Sequence, residues 1–294
     1  MIPAEYRLTQ WKRLFSAIGW ALLATIALTP LAEWLIGAPP RKTGKLLLQL
    51  TFLGSLMLSA PRTGKNFSQD TGLQRGDAPR LWWTGFACGA LSLGIFMAAL
   101  TYIGEREVKG FQGWWHLLSY GLKYMPLAFI IGILEDVTFF GLLYAVSGRR
   151  FLPPVIVYAA THFIHDDKTP YDGPLYGHGL EVLTRMGASL TSIVDHPMEA
   201  IGLALIGSVL LTIRVQTGNI WCSMGVHGGW YFARMFGRKF NKDVVGEHEW
   251  FYGTNRFCDG VLGWCVILSA GLAVNFWWWR RATEKKVVNV LSDS

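Results

Sequence analysis

Charge is scarce in this sequence of 294 residues: Asp, Glu, Lys and Arg together supply only 16% of it. Against that stand 51% hydrophobic residues and a mean hydropathy of +0.29, more apolar side chain than a water-soluble core of this length needs. Water is therefore excluded as the only solvent. Cysteine is rare too. The four present, Cys88, Cys222, Cys258 and Cys265, form no Cys-x-x-Cys pair, which removes zinc-ribbon and thioredoxin-type motifs and leaves them as packing residues. There is no His-Glu-x-x-His run, no serine or cysteine nucleophile motif and no internal repeat. The net charge of +7 is spread over tails and loops rather than gathered in a stripe, so nucleic acid is not an expected partner, and anionic lipid headgroups are.

What the chain has in abundance is long apolar runs. A hydrocarbon core about 30 Å thick takes about 20 mostly apolar residues per helical span, and runs of that kind recur between charged or aromatic boundaries. The pattern predicts an all-α fold, a single integral membrane domain over 1–294 built as a polytopic transmembrane bundle of about eight helices. The predicted spans are Leu14 to Leu35, Leu46 to Ala60, Leu81 to Ile103, Leu117 to Val146, Phe151 to Ile164, Met198 to Ile213, Asn219 to Phe236 and Asp259 to Trp279. The fourth is long enough to require tilt, a break or an interfacial turn. Tryptophan runs at proposed ends, Trp82-Trp83, Trp114-Trp115 and Trp277 to Trp279, fit rings parked at headgroup level. The basic N-terminal segment resembles a signal peptide, but its apolar stretch is too long and lacks a small-residue cleavage site, so it is expected to stay as the first helix. Lys and Arg are nearly balanced between the two sides, with a slight lean towards cytoplasmic termini. The long polar insertion from His165 to Pro197 is expected to be a structured loop or an interfacial helix.

Ionisable residues at membrane depth are costly and usually face a cavity or a partner. Glu135 and Asp136 are adjacent in the fourth span, His162 lies near the end of the fifth and His227 is central in the seventh. A carboxylate and two imidazoles in a dry cavity suit general acid-base chemistry on a trapped water. The same three residues, Glu135, His162 and His227, also make a plausible zinc site with an open fourth position. Spacing does not choose between the two, and a buried carboxylate bonded to a histidine for packing alone is the structural alternative.

These residues resemble the motifs of a family, the CAAX-protease and bacteriocin-processing intramembrane proteases, which include type II CAAX prenyl endopeptidases. The family's Glu-Glu-x-x-x-Arg resembles Glu135-Asp136-Val137-Thr138-Phe139-Phe140, its Phe-x-x-x-His resembles Tyr158 to His162, and its His followed four residues later by Asn resembles His227 to Tyr231. Thr217-Gly218-Asn219-Ile220-Trp221 is similar to the segment leading into that histidine. The likeness covers about 117–236. It implies an intramembrane endopeptidase in which Glu135 activates water, His162 helps bind or polarise it, and His227 with Tyr231 stabilises the oxyanion. By spacing, His227 and Tyr231 share a helix face, and Gly225-x-x-x-Gly229 around His227 permits close helix approach.

The sequence departs from that pattern at three places: Asp136 for the second Glu, Phe140 for Arg and Tyr231 for Asn. Without an arginine at 140, Asp136 needs another partner or a proton. The expected substrate is a membrane-associated protein or peptide, lipidated or anchored at its C-terminus, in a bacterial inner membrane. No cofactor is required by this reading, with zinc as the possible exception and both glutamate-type and metalloendopeptidase chemistry open. Two other readings stand: a noncatalytic family member acting as an immunity or scaffold protein, and a proton-coupled transporter, the latter weakened by the lack of inverted repeats.

Overall fold

The computed structural model describes residues 4–37, 40–60, 67–74, 76–110, 113–165, 173–243, 248–254 and 256–292. In chain order it contains α1 (Ala4–Ile36), α2 (Pro40–Ser59), α3 (Phe67–Thr71), α4 (Ala78–Tyr102), β1 (Arg106–Val108) and α5 (Trp114–Asp136). A π-helical stretch (Val137–Leu143) then leads to α6 (Tyr144–Val146) and α7 (Leu152–His162). A 3₁₀ turn (Leu175–Gly177) precedes α8 (His178–Ser189), α9 (Ser192–Asp195), α10 (Pro197–Thr217), α11 (Trp221–Phe240), β2 (Asn241–Asp243), α12 (Glu249–Tyr252) and α13 (Val261–Ser292).

The all-α polytopic expectation holds, but the count of eight spans does not follow from it. Among the described residues five helical segments are long and apolar enough to cross a bilayer: Thr9–Leu35, Ala78–Tyr102, Trp114–Val146, Pro197–Thr217 and Val261–Arg281. The remaining three predicted spans fall below that length or hydropathy. At 11 residues, α7 reaches only about 16 Å. The 20-residue helices α2 and α11 carry basic and polar residues that lower their hydropathy. Large apolar side chains such as Leu23, Leu91, Leu122, Leu272 and Phe276 point outward, as a hydrocarbon solvent favours. The tryptophan doublet of α4 divides its work: Trp83 is exposed, whereas Trp82 is buried in the core. Cys222 and Cys258 are buried as expected, and Cys265 is exposed.

The chain folds as two compact units, Met1–Thr71 with Thr138–Ala200, and Gly72–Val137 with Ile201–Ser294. In the first, α1 packs on α2 and α8. Gly179 of α8 lies so close to α1 that a Cβ there would meet the Ile26 carbonyl at 2.1 Å. The insertion expected as loop or interfacial helix is thus helical in its described part, α8 and α9, while Asp166, Asp167, Lys168 and Asp172 lie outside the described residues.

In the second unit α11 is the central element, buried without interruption from Cys222 to Trp230. Small residues make this possible. A Cβ on Gly225 or Gly229 would lie 2.2 or 2.3 Å from the backbone carbonyls of Trp82 and Phe86. A Cβ on Gly85 or Gly89 of α4 would lie 2.2 Å from those of Cys222 and Val226. Two Gly-x-x-x-Gly faces therefore meet, and the paired positions rise together, so α4 and α11 run parallel. Their C-terminal ends are joined by the β1 and β2 ribbon, antiparallel with Glu107 opposite Lys242. Trp82, Phe86, Ala128, Ile220 and Met224 form the core between α4, α5 and α11, and Tyr231 and Phe232 pack against it.

Candidate functional site

The position of His227 is set by how α11 begins. The Thr217 to Trp221 segment is tied to the strand of chain ahead of α4: the Ile220 N–H donates to the Gly72 carbonyl (2.9 Å) and the Trp221 indole N–H to that of Gln74 (2.9 Å). Asn219 Oδ1 accepts the Trp221 N–H at 3.0 Å, satisfying a donor that the first turn leaves orphaned. On the opposite side, Gly132 of α5 lets that helix press against the Met224 carbonyl. One turn later, α5 delivers Glu135 and Asp136.

The two carboxylates then take different places around one imidazole. His227 Nδ1 donates to Asp136 Oδ1 at 2.7 Å, and His227 Nε2 lies 3.7 Å from Glu135 Oε2. The Asp136 side chain is fully enclosed, whereas that of Glu135 keeps 23% of its surface. Adjacent carboxylates thus have separate environments, one sealed against the ring and the other partly exposed. The Nδ1 contact also sets the imidazole tautomer, leaving Nε2 as the nitrogen directed at Glu135. Ser223, one turn before His227, donates to the Ile220 carbonyl (2.9 Å) and sits beside Asp136. Tyr231, half-buried one turn after His227, lies within electrostatic range of Glu135, Tyr124 and Arg234.

Glu135, Asp136, His227 and Tyr231 therefore belong together in the second unit. His162 belongs to the first, at the end of α7. Its ring packs edge-on against Tyr158 (centroids 4.6 Å) and its Nδ1 donates to the Tyr158 carbonyl at 2.9 Å, so the two matching positions of the Phe-x-x-x-His motif form one structural unit. Phe140, at the position of the family's arginine, is completely buried against Tyr158 (5.3 Å). A guanidinium there would be taken out of water beside an aromatic ring.

The π-helical stretch that starts immediately after Asp136 changes the register. Its hydrogen bonds run i to i+5. Asp136 takes His227 as its partner. Among the described residues no three His, Cys, Asp or Glu side chains are grouped to hold a metal ion. An apolar cavity of about 440 Å³ opens between Trp82, Trp83, Met125, Pro126, Phe129 and Trp221.

A helical membrane protein with a carboxylate, an oriented imidazole and a phenol gathered along two packed helices has the groups of an acid-base hydrolase. Residues 113–233 match the family model of type II CAAX prenyl endopeptidase Rce1-like proteins. That segment contains all three motifs, and over it the chain is similar to the CAAX protease family. No curated protein and no solved structure shows significant similarity to it.

Proposed function

We propose that this protein is an intramembrane endopeptidase that hydrolyses a peptide bond near the C-terminus of a lipidated or membrane-anchored substrate, using water activated by Glu135. The observation that carries the reading is the arrangement of Glu135 and Asp136 on the two nitrogens of His227, inside the segment that matches the family. The 3.7 Å between Glu135 Oε2 and His227 Nε2 is too long for a direct hydrogen bond, and the proposed reaction places a water between the two groups.

In the proposed reaction Glu135 removes a proton from that water as its oxygen attacks the carbonyl carbon. The oxyanion accepts hydrogen bonds from His227 Nε2–H and the Tyr231 hydroxyl. Because His227 Nδ1–H is already given to Asp136, donation from Nε2 requires the imidazolium, which the buried Asp136 carboxylate stabilises. Collapse of the tetrahedral species breaks the C–N bond, and the proton held by Glu135 passes to the departing amine. The proposed steps involve no metal.

An apolar cavity lined by three tryptophans supports a substrate bearing an apolar chain, and the bilayer is proposed to be a bacterial inner membrane. The test is cleavage of an S-prenylated C-terminal peptide by the protein in proteoliposomes, with and without chelator. The reading expects cleavage that survives the chelator; cleavage lost on chelation and restored by zinc overturns the metal-free mechanism.

A further inference from the structure

The three tryptophans around the apolar cavity differ in what becomes of the indole N–H. Trp221 gives its own to the Gln74 carbonyl (2.9 Å), and Trp83 is exposed. Trp82 is enclosed, with 7% of its surface accessible, and its Nε1–H has no acceptor among the described residues. Its neighbours are rings: Phe86 stacks on it at 5.0 Å, and Trp83 and Phe129 meet it edge to face at 4.6 and 5.4 Å. Ala78, Pro79, Met125 and Pro126 complete the cavity, and none of these side chains carries an oxygen. A buried donor left among hydrocarbon is costly, so this wall of the cavity calls for an acceptor from outside the chain.

The placement of the donor narrows the ligand. Trp82 is four residues, about 6 Å, from the first residue of α4, a helix long and apolar enough to cross a bilayer. That is the interfacial level at which tryptophan rings settle, and the glycerol esters of phospholipids lie there too. The rest of the cavity runs inward. A Cβ on Gly225 of α11 would meet the Trp82 carbonyl, one on Gly228 that of Ala128, and one on Gly132 of α5 that of Met224. Thus α5 runs antiparallel to α4 and α11, and Phe129, Pro126 and Met125 follow Trp82 towards the middle of the bilayer. A ligand with an acceptor at the rim and hydrocarbon below it matches this order. The volume of about 440 Å³ falls within the range of small-ligand sites, about 300–1,000 Å³. A chain of hydrocarbon alone would fill the apolar part and leave the N–H unpaired.

We propose that in the resting protein this cavity holds one acyl chain of a bilayer phospholipid, whose ester carbonyl accepts the Trp82 Nε1–H. The inference stands independently of the protease reading, under which a substrate's apolar chain enters the cavity by displacing this lipid.

The test uses the full-length protein, delipidated in detergent, and native mass spectrometry of the lipid it retains. Dioleoyl phosphatidylcholine is compared with its diether analogue, which keeps the chains and the headgroup but lacks the ester carbonyls. The wild type is expected to bind the ester lipid about 3- to 10-fold more tightly. Trp82→Phe keeps an aromatic ring against Phe86 and removes the N–H, so it binds both lipids alike, at the wild-type level for the ether. Trp83→Phe, on the same cavity, keeps the wild-type preference. Equal binding of the two lipids by the wild type overturns the proposal, and this comparison decides even if Trp82→Phe fails to fold. An ester preference that survives in Trp82→Phe also overturns it, as does a wild type that retains no phospholipid and covers the cavity with a second copy of the chain.

Discussion

Asp136 Oδ1 and His227 Nδ1 lie 2.7 Å apart across 91 residues of sequence, in a contact closed to solvent on the aspartate side. The contact gives Asp136 a role apart from that of Glu135 next to it. Asp136→Asn keeps the size but removes the carboxylate that stabilises the His227 imidazolium. A fall in kcat on the order of 10²- to 10⁴-fold is expected, with KM little changed. Kinetics on the prenylated peptide together with the pH–rate profile check this, since loss of the carboxylate shifts the limb that reports His227 while a purely structural defect leaves its position unchanged.

The parallel contact of α4 and α11 places backbone against backbone, so the glycines there have no room to grow. Gly225→Ala would put a methyl group 2.2 Å from the Trp82 carbonyl oxygen, and a loss of about 1–3 kcal/mol is expected. Gly94→Ala, on the same α4 with nothing within 4 Å, is expected to stay within about 0.5 kcal/mol. Unfolding in mixed micelles of mild and denaturing detergent compares the two.

Restoring the family's arginine should not improve this protein. Phe140 is fully buried against Tyr158, whose carbonyl holds His162, and Asp136 already has its partner. Phe140→Arg buries a charge with nothing arranged to receive it, at a cost of about 3–5 kcal/mol. Thermal unfolding and residual peptidase activity should fall together.

In the first unit, His178 at the start of α8 donates from Nδ1 to Glu33 Oε2 of α1 (2.7 Å) and from Nε2 to the Gly173 carbonyl (3.3 Å). When protonated, the ring can donate from both nitrogens. The Glu33 hydrogen bond, outweighing burial, raises the His178 pKa above its ordinary 6.5. A raised folded-state pKa means that this stabilisation is complete below about 6.5 and is lost as pH rises through the higher folded value. The wild type should therefore lose thermal stability over that interval, and His178→Gln should show a flatter pH dependence.

The chemistry was more legible in the sequence than the architecture. Glu135, Asp136 and His227 stood out because an ionisable residue is rare in an apolar run, and three of them in such runs narrow the search. The helices themselves were visible in hydropathy, but hydropathy does not tell a helix that crosses a membrane from one enclosed by its neighbours. Thus α11 was read as a span, and its continuous burial depends on partner glycines in α4 that lie more than a hundred residues away. The Asp136–His227 pair was out of reach for the same reason. The π-helical stretch after Asp136 has no simple sequence signal.

The central claim is that Glu135 activates the attacking water, and single-turnover cleavage of the prenylated peptide by wild type and Glu135→Gln tests it most directly. Glutamine keeps the size and removes the base, so product release should fall by at least about 10³-fold while peptide binding is retained. Cleavage by Glu135→Gln at the wild-type rate would contradict the account and assign the water to another group.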